Sequence, residues 1–179
     1  LGLGFGAGTG GFLTYCEQMG VPMDEAEAER VVKAYRSSRP AVVQYWQHLK
    51  SIERHAEQIL PTGRRMVYPD MDGRTFQRPK PFAPRGTNTR SKYWHGLFCE
   101  NAVQAAARDI TLVAHGNAIA QMYPVVLVVH DEIVCSVPEA QADECLAFMQ
   151  RTMETPPAWC ADLPLAAEGG TADNYGDVK

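Results

Sequence analysis

Residues 124–138 read Pro-Val-Val-Leu-Val-Val-His-Asp-Glu-Ile-Val-Cys-Ser-Val-Pro. Two runs rich in β-branched residues, 125–129 and 133–137, flank the polar residues His130, Asp131 and Glu132. Such runs favour strands and the polar interruption favours a turn, so the stretch predicts a β-hairpin with its polar residues at the tip. Carboxylate oxygens are hard ligands for divalent cations, which makes Asp131 the first candidate for chemistry. The alternative is a solvated turn, where aspartate is common.

Length and composition limit the classes of protein to consider. The chain has 179 residues and 45% hydrophobic side chains, enough for one substantial core or two small domains. No apolar run approaches the roughly 20 residues that span a bilayer, and no signal peptide is visible, so we expect a cytoplasmic protein without a membrane partner. The cysteines lie far apart without a Cys-x-x-Cys pair, which favours reduced thiols over a zinc ribbon or a disulfide scaffold. They are Cys16, Cys99, Cys135, Cys145 and Cys160.

Charge is distributed unevenly along the chain. The formal net charge is −4, but residues 61–92 carry 8 basic and 2 acidic side chains, whereas residues 93–179 carry 3 and 12. This segregation suits a protein that meets a polyanion on one surface and holds metal cations on another. The alternative is a solvated basic loop.

The first residues are rich in glycine. Gly6, Gly8 and Gly11 match the Gly-x-Gly-x-x-Gly pattern of dinucleotide sites, but no strand is visible before them and no phosphate-loop Lys-Ser/Thr follows. A turn that allows close approach of the backbone is the simpler interpretation. Because the chain opens with Leu1 rather than methionine, we expect it to be part of a longer protein.

Helical and hairpin signals alternate up to residue 92. Asp24 and Glu27 form a capping-box-like pair before a helix predicted over residues 26–37, and Pro40 begins a second helix predicted over 40–58. Pro61-Thr62-Gly63 predicts a hairpin between strands at 58–60 and 64–68. Residues 71–92, rich in Pro, Gly, Arg and Thr, predict an extended loop.

An alanine-rich segment without proline predicts a long helix over residues 96–121. Glu100, Gln104 and Arg108 share one face of it, which is either a binding stripe or simply its wet side. After the central hairpin, residues 139–154 predict a surface helix, and the tail predicts a turn and one short strand that adds to the hairpin's sheet.

These motifs together resemble one family. Val-Val-His-Asp-Glu-Ile at 128–133, preceded by Glu-Asn-Ala-Val-Gln-Ala-Ala-Ala-Arg-Asp-Ile at 100–110, resembles the C-terminal part of family A (polymerase I type) DNA polymerases, particularly those of bacteriophages. The Leu-Gly-Leu-Gly-Phe-Gly opening and Leu-Pro-Thr-Gly-Arg-Arg at 60–65 resemble the end of the fingers helix and the fingers hairpin. The resemblance implies an α+β chain, with distal fingers over residues 1–92 and the C-terminal part of the palm, a hairpin packed on long helices, over 93–179.

The same resemblance implies two-metal nucleotidyl transfer, in which two Mg²⁺ ions activate the primer 3′-hydroxyl and stabilise the departing pyrophosphate. Asp131 matches the second catalytic aspartate, a metal ligand. Glu132 matches a secondary or water-mediated helper, and His130 lies near the primer end or is a structural histidine. Gln104 matches the glutamine that contacts the minor groove, where purine N3 and pyrimidine O2 are acceptors in every correct pair.

Further positions match DNA contacts of the family. Phe5 stands at a tyrosine position that borders the nascent pair, and Arg64 and Arg65 are expected to contact template phosphates. Glu100 stands where bacterial members commonly have asparagine, and it is a candidate DNA contact together with Asn101. The implied partners are primer-template DNA, a dNTP and the missing N-terminal part of the polymerase, in the host cytoplasm if the protein is phage-encoded.

The implied site is incomplete in this chain. The family's first catalytic aspartate and the Arg and Lys that grip the triphosphate lie before Leu1, so we expect no primer extension by these 179 residues alone. Two alternatives remain. One is a non-catalytic fragment that binds duplex DNA, and the other is a metal-dependent phosphohydrolase that uses His130 and Asp131 as paired ligands.

Overall fold

The structure, a computed structural model, describes residues 2–52, 57–77 and 90–178. Within these ranges the chain forms five α-helices and six short strands, and the strands pair in chain order into three antiparallel two-stranded sheets. This arrangement confirms the α+β class. The helices are α1 Thr9–Gln18, α2 Glu25–Ser38, α3 Pro40–Leu49, α4 His95–Ala120 and α5 Ala142–Glu154, and the strands are β1 Glu57–Ile59, β2 Arg65–Val67, β3 Thr75–Gln77, β4 Arg90–Lys92, β5 Val125–Val129 and β6 Glu132–Cys135.

The chain divides into two compact units, an N-terminal unit that ends at Val103 and a C-terminal unit that begins at Gln104. Each unit has its own hydrophobic core. The division therefore falls inside α4 rather than in the preceding loop. The expected boundary between fingers and palm at residues 92 and 93 stays a prediction.

Aromatic side chains form the core of the N-terminal unit. Leu49 and Phe98 are fully buried, and Trp46 and Tyr68 are nearly so. The Tyr68 ring meets the Phe98 ring edge-on, with 4.7 Å between centroids, a geometry that aromatic pairs prefer. The Trp46 indole donates a hydrogen bond to the Gly4 carbonyl at 3.1 Å, which holds the start of the chain against α3.

The opening glycines form the turn that the sequence predicted. Gly6 adopts φ +87°, and a Cβ atom there would lie 2.7 Å from His95 Nε2. Only glycine accommodates both the left-handed backbone and this close approach. Helix α1 begins directly after the turn, at Thr9, and the sequence patterns had not predicted a helix there.

The capping of α2 is as predicted, because the Asp24 carboxylate accepts a hydrogen bond from the Glu27 N–H at 2.7 Å. The prediction of one helix over residues 40–58 was wrong, since α3 ends at Leu49 and β1 begins at Glu57. Residues 53–56 of the predicted helix lie outside the described part of the chain. Ser51 directs both its N–H and its hydroxyl to the His48 carbonyl, at 2.9 and 2.7 Å. Such local bonding by serine competes with the helical pattern and ends the helix.

The predicted hairpin at residues 58–68 is confirmed, with β1 paired to β2 and Gly63 at φ +81° in the turn. The prediction of an extended loop over 71–92 was wrong in part, because β3 pairs with β4. Asp72 stabilises the start of this second hairpin by accepting hydrogen bonds from the N–H groups of Arg74 and Thr75. Residues 78–89 of the predicted loop lie outside the described part of the chain.

The C-terminal unit packs β5 and β6 against helices. Ala118 of α4 and Cys145 and Met149 of α5 are buried at its centre. From the hairpin, Ile133 and Cys135 pack on them at the period of two expected for one face of a strand.

The long helix predicted over residues 96–121 is confirmed as α4, and the helix predicted over 139–154 as α5 after one 3₁₀ turn at Glu139–Gln141. The predicted strand in the tail was wrong, since residues 161–178 contain none. There the Ala167 N–H donates to the Glu154 carboxylate at 3.4 Å instead of extending the sheet. No helix within the described ranges is long and apolar enough to cross a membrane.

Candidate active-site hairpin

The central hairpin has a tighter turn than its sequence predicted. Val129 of β5 pairs directly with Glu132 of β6, which leaves His130 and Asp131 as the two turn residues. The prediction of a three-residue turn was therefore wrong for Glu132. Glutamate has a lower strand propensity than the valines around it, but here it closes the ladder as the first residue of β6.

His130 adopts φ +53°, in the left-handed region. A two-residue hairpin loop with positive φ at its first position matches the right-handed twist of the flanking strands, and glycine is the residue that usually stands there. A non-glycine residue in this conformation costs on the order of 1–2 kcal/mol. The turn thus keeps an imidazole beside Asp131 at some cost in backbone strain, a pattern that clusters at functional sites.

Asp131 and Glu132 are both exposed at the tip of the hairpin. Ile133 packs on the core, so Glu132 lies on the opposite face of β6 by the alternation of a strand. Mg²⁺ is held in many sites by one or two carboxylates with water and substrate phosphate as the remaining ligands, and this pair fits that donor set. Within the described ranges, no group of three or more His, Cys, Asp and Glu side chains could hold a metal by itself.

The outer face of the hairpin is apolar and uncovered. Leu127 pairs with Val134 and Val129 pairs with Glu132, so these side chains share the face turned away from the core. Leu127 is 40% exposed and Val129 37%. An apolar sheet face of this kind next to two carboxylates is typical of a surface that another polypeptide covers.

Glu132 has a contact that the sequence did not reveal. The Tyr175 hydroxyl donates a hydrogen bond to Glu132 Oε2 at 2.8 Å, although the two residues are 43 positions apart. No local sequence pattern indicates such a long-range pair. The tail of the chain therefore reaches the acidic end of the hairpin.

The polar stripe predicted on α4 is exposed. Glu100, Gln104 and Arg108 all face solvent, while Phe98 and Ala102 are buried. Gln104 presents its amide from a regular helix, where the backbone fixes the position of the side chain's first atoms. This placement permits the predicted minor-groove contact, which stays a prediction.

Asn101 belongs to a buried hydrogen-bond chain. Its amide donates to the Tyr68 hydroxyl at 3.4 Å, Tyr68 donates to Gln58 Oε1 at 3.0 Å, and Gln58 donates to the Tyr45 hydroxyl at 3.0 Å. Burial raises the pKa of both tyrosines, which keeps their hydroxyls protonated. Asn101 thus has a structural role on the face of α4 that meets β1 and β2.

The two candidate arginines differ in their surroundings. Arg65, on β2, forms a bidentate pair with Glu57 on β1, and this contact raises the pKa of Arg65 and lowers that of Glu57. Arg64 lies in the turn, where its N–H donates to the Thr62 hydroxyl at 3.3 Å. Another basic residue, Arg90, pairs with Asp72 at 2.9 Å. Local carboxylates therefore neutralise two cations of the basic segment.

Phe5 ends a 3₁₀ helix, Gly2–Phe5, and packs partly buried against the core of the N-terminal unit. A Cβ on Gly96 would clash with the Phe5 carbonyl oxygen, so the start of α4 fits closely against this segment. The ring is held by packing and remains partly accessible.

Two relatives match most of the chain. The DNA polymerase of Bacillus phage SP02 is 30% identical over 210 residues, which is 98% of this chain and 31% of that protein. The thermostable DNA polymerase I of Thermus filiformis is 28% identical over 150 residues, or 81% of this chain and 18% of that protein. The chain thus spans less than a third of the length of these curated relatives.

A solved structure shares the fold. The POL domain of Pol1 from M. smegmatis, in complex with DNA primer-template and dNTP, covers 92% of this chain with a TM-score of 0.62 and 20% identity. This chain covers 27% of that one. The profile of DNA polymerase family A matches residues 5–177. On this match across nearly its whole length, the chain belongs to DNA polymerase family A.

Proposed function

We propose that this chain supplies part of the active site and DNA-binding surface of a template-directed DNA polymerase, which adds dNTPs to a primer 3′-hydroxyl. The observation that carries the proposal is the hairpin turn, which presents two adjacent carboxylates, Asp131 and Glu132, on strands built from apolar residues. Membership in the family supports this chemistry. The proposed partners are primer-template DNA and a dNTP, in the cytoplasm of the host cell if a phage encodes the protein.

Asp131 is the proposed ligand of two Mg²⁺ ions, with Glu132 as a secondary or water-mediated ligand. When bound, such ions lower the pKa of an attacking hydroxyl and stabilise the charge of the leaving pyrophosphate. The protein's own contribution is to hold two carboxylates at the tip of a short hairpin loop, whose geometry leaves little freedom to the backbone. His130 then lies beside the primer end, where its imidazole can donate or accept a hydrogen bond.

Helix α4 and the N-terminal unit supply the proposed DNA contacts. Gln104 reads the minor groove through its amide, and Phe5 stacks beside the nascent base pair. Arg64 and Arg65 contact template phosphates, for which Arg65 has to exchange or share its carboxylate partner Glu57.

The remaining proposed DNA contacts are Glu100 and Asn101. Glu100 is exposed on α4, whereas Asn101 is partly buried and bound to Tyr68. Asn101 therefore acts on DNA through the position of the helix more than through a direct contact.

The other part of the polymerase is the proposed partner of the uncovered hairpin face. Leu127 and Val129 expose apolar surface beside the carboxylates, and covering it would bring a further polypeptide to the metal ligands. A segment carrying the other catalytic aspartate would complete the site there. This arrangement accounts for the expected inactivity of the 179 residues alone.

Primer extension tests the proposal. The longer polymerase that contains this chain should incorporate dNTPs with Mg²⁺, and Asp131→Asn should lower kcat by at least about 100-fold because one metal ligand is lost. The matched control is Asp162→Asn, an exposed aspartate of the same unit, which should keep wild-type activity. Full activity of the Asp131→Asn variant would refute the proposed metal site.

The isolated chain tests the second part of the proposal. It should incorporate no dNTP, whereas any templated incorporation by it alone would refute the claim that the site is incomplete. The isolated chain should still bind duplex DNA and retard it in a gel. Its affinity for the duplex should fall steeply with salt, because phosphate contacts release counterions. A flat salt dependence would argue against a DNA surface on this part of the polymerase.

A further inference from the structure

The C-terminal tail, residues 161–178, follows α5 back toward the hairpin. The Ala167 N–H donates to the carboxylate of Glu154 at the end of α5. Two turns earlier on that helix, Leu146 lies so close to Gly169 that a Cβ on the glycine would be 2.8 Å from Leu146 Cδ1. The tail therefore runs antiparallel to α5, and Gly169 permits its close approach.

A short 3₁₀ turn, Tyr175–Asp177, ends this path. The Asn174 side chain accepts a hydrogen bond from the Gly176 N–H at 3.0 Å and donates from its amide to the Asp177 carboxylate. These bonds fix the turn locally. Tyr175 projects from it to Glu132, with 2.8 Å between its hydroxyl and Oε2.

The bond to Tyr175 restricts a long side chain at an exposed position. A free glutamate loses rotamer entropy when a ligand fixes it, and a donor that fixes the side chain beforehand reduces the entropy that the ligand's binding has to offset. A phenol that donates to a carboxylate forms a charge-assisted bond, stronger than one between neutral groups. Because Tyr175 bonds Oε2, the carboxylate keeps Oε1 and further lone pairs for another ligand.

We propose that Tyr175 is a positioning residue, which holds Glu132 so that its carboxylate and that of Asp131 stay in one arrangement at the tip of the hairpin. The proposal rests on the proposed function of these carboxylates as the metal-binding pair. It gives the tail a defined role, since the path along α5 delivers Tyr175 to the site.

The contact itself is tested in the 179-residue chain, without any activity. In the ¹H–¹⁵N NMR spectrum, Tyr175→Phe should shift the amide signals of Asp131 and Glu132. Tyr123→Phe is the matched control, since it removes a phenol hydroxyl from the same unit at a ring packed on Phe148, away from the turn. Unchanged Asp131 and Glu132 signals in Tyr175→Phe would overturn the proposal.

A double-mutant cycle in the longer polymerase then tests positioning. Tyr175→Phe should lower kcat about fivefold with the KM for dNTP unchanged, as expected for loss of one hydrogen bond. In a Glu132→Ala background, which removes the acceptor of the Tyr175 hydroxyl, the same change should cost nothing further, because the two residues act through one contact. Equal losses in both backgrounds would overturn the proposal. A wild-type polymerase without extension activity would refute the proposed function. The NMR shifts would still test separately whether Tyr175 bonds to Glu132.

Discussion

The Asn101 amide donates a hydrogen bond to the hydroxyl of Tyr68, which ties α4 to the first hairpin from the inside of the N-terminal unit. The Tyr68 hydroxyl in turn donates a hydrogen bond to Gln58 Oε1, and both of these residues are at least 95% buried. A buried polar chain is stable only when each member has a partner, so the loss of one hydroxyl affects the next residue along.

Replacing Tyr68 by Phe should lower the free energy of unfolding by about 1–3 kcal/mol, because Gln58 Oε1 then stays buried without its donor. Chemical denaturation measures the change. Tyr35→Phe is the matched control, since Tyr35 packs partly buried against the same core and should change stability by less than about 0.5 kcal/mol. Equal stability of the Tyr68→Phe variant and the wild type would show that the buried hydrogen bonds of Tyr68 contribute nothing to the free energy of unfolding.

The second hairpin should weaken in acid through Asp72. The Thr75 hydroxyl and the N–H groups of Thr75 and Arg74 donate to this carboxylate, with Arg90 beside it, and hold the pKa of Asp72 well below its usual range. A depressed folded-state pKa gives stability that is present above the unfolded value of about 3.9 and is lost as pH falls through the folded value.

Asp72→Asn should therefore lower the melting temperature at pH 7, and the difference from wild type should shrink as the pH is lowered below about 4. Thermal unfolding monitored by circular dichroism measures both. Asp70→Asn is the matched control, because Asp70 lies in the same segment at φ +52°, a conformation that asparagine tolerates. A difference that is constant from pH 7 to pH 3 would contradict the role of the Asp72 carboxylate.

Regular elements with strong local signals were predictable from the sequence. Asp24 and Glu27 marked the start of α2, the valines marked β5, and the alanines marked α4. The helix predicted through residue 58 failed because its apolar spacing continued while Ser51 bonded back to His48. Periodicity shows which side chains are apolar, but it does not show where a polar side chain such as that of Ser51 bonds to a backbone carbonyl and competes with the helix.

The positions of the candidate residues were predictable in part. His130 and Asp131 lie in the hairpin turn as expected from the apolar strands around them, Glu132 instead begins β6, and the position of Gln104 on α4 followed from the helix period. The bond from Tyr175 to Glu132 was not predictable, since it joins two elements that no local rule relates. The Arg65 pair with Glu57 was likewise missed, because it depends on the register of β1 and β2.

Cys135 should react slowly with alkylating agents in the folded chain. Burial, with Cys145 beside it, raises the pKa of the Cys135 thiol to about 11. At pH 8 only about one thiol in a thousand is then the reactive thiolate. Mass spectrometry after iodoacetamide treatment should show a rate at Cys135 that rises about tenfold per pH unit between pH 8 and 10.

The control for this measurement is the same residue in the urea-unfolded chain. There the thiol has an ordinary pKa of about 8.5, so alkylation at pH 8 should be at least about 100-fold faster. Equal rates at Cys135 in the folded and unfolded chains would contradict its partial burial against α5.

His130→Gly separates the stability of the hairpin turn from its function. Glycine removes the strain of a non-glycine residue at φ +53°, about 1–2 kcal/mol, but it gives the unfolded chain an entropy advantage of about 0.5–1 kcal/mol. The free energy of unfolding of the variant should therefore equal that of the wild type or exceed it by up to about 1.5 kcal/mol. Primer extension by the longer polymerase should nevertheless fall, because the imidazole beside Asp131 is lost.

His130→Asn is the matched control, since asparagine tolerates positive φ and keeps a hydrogen-bonding side chain at the turn. It should match wild-type stability in chemical denaturation and retain more activity than His130→Gly. A loss of more than about 1 kcal/mol in the glycine variant would mean that the imidazole itself stabilises the hairpin. The histidine would then be a structural residue of the turn, and the strain at φ +53° would have no connection with the carboxylate beside it.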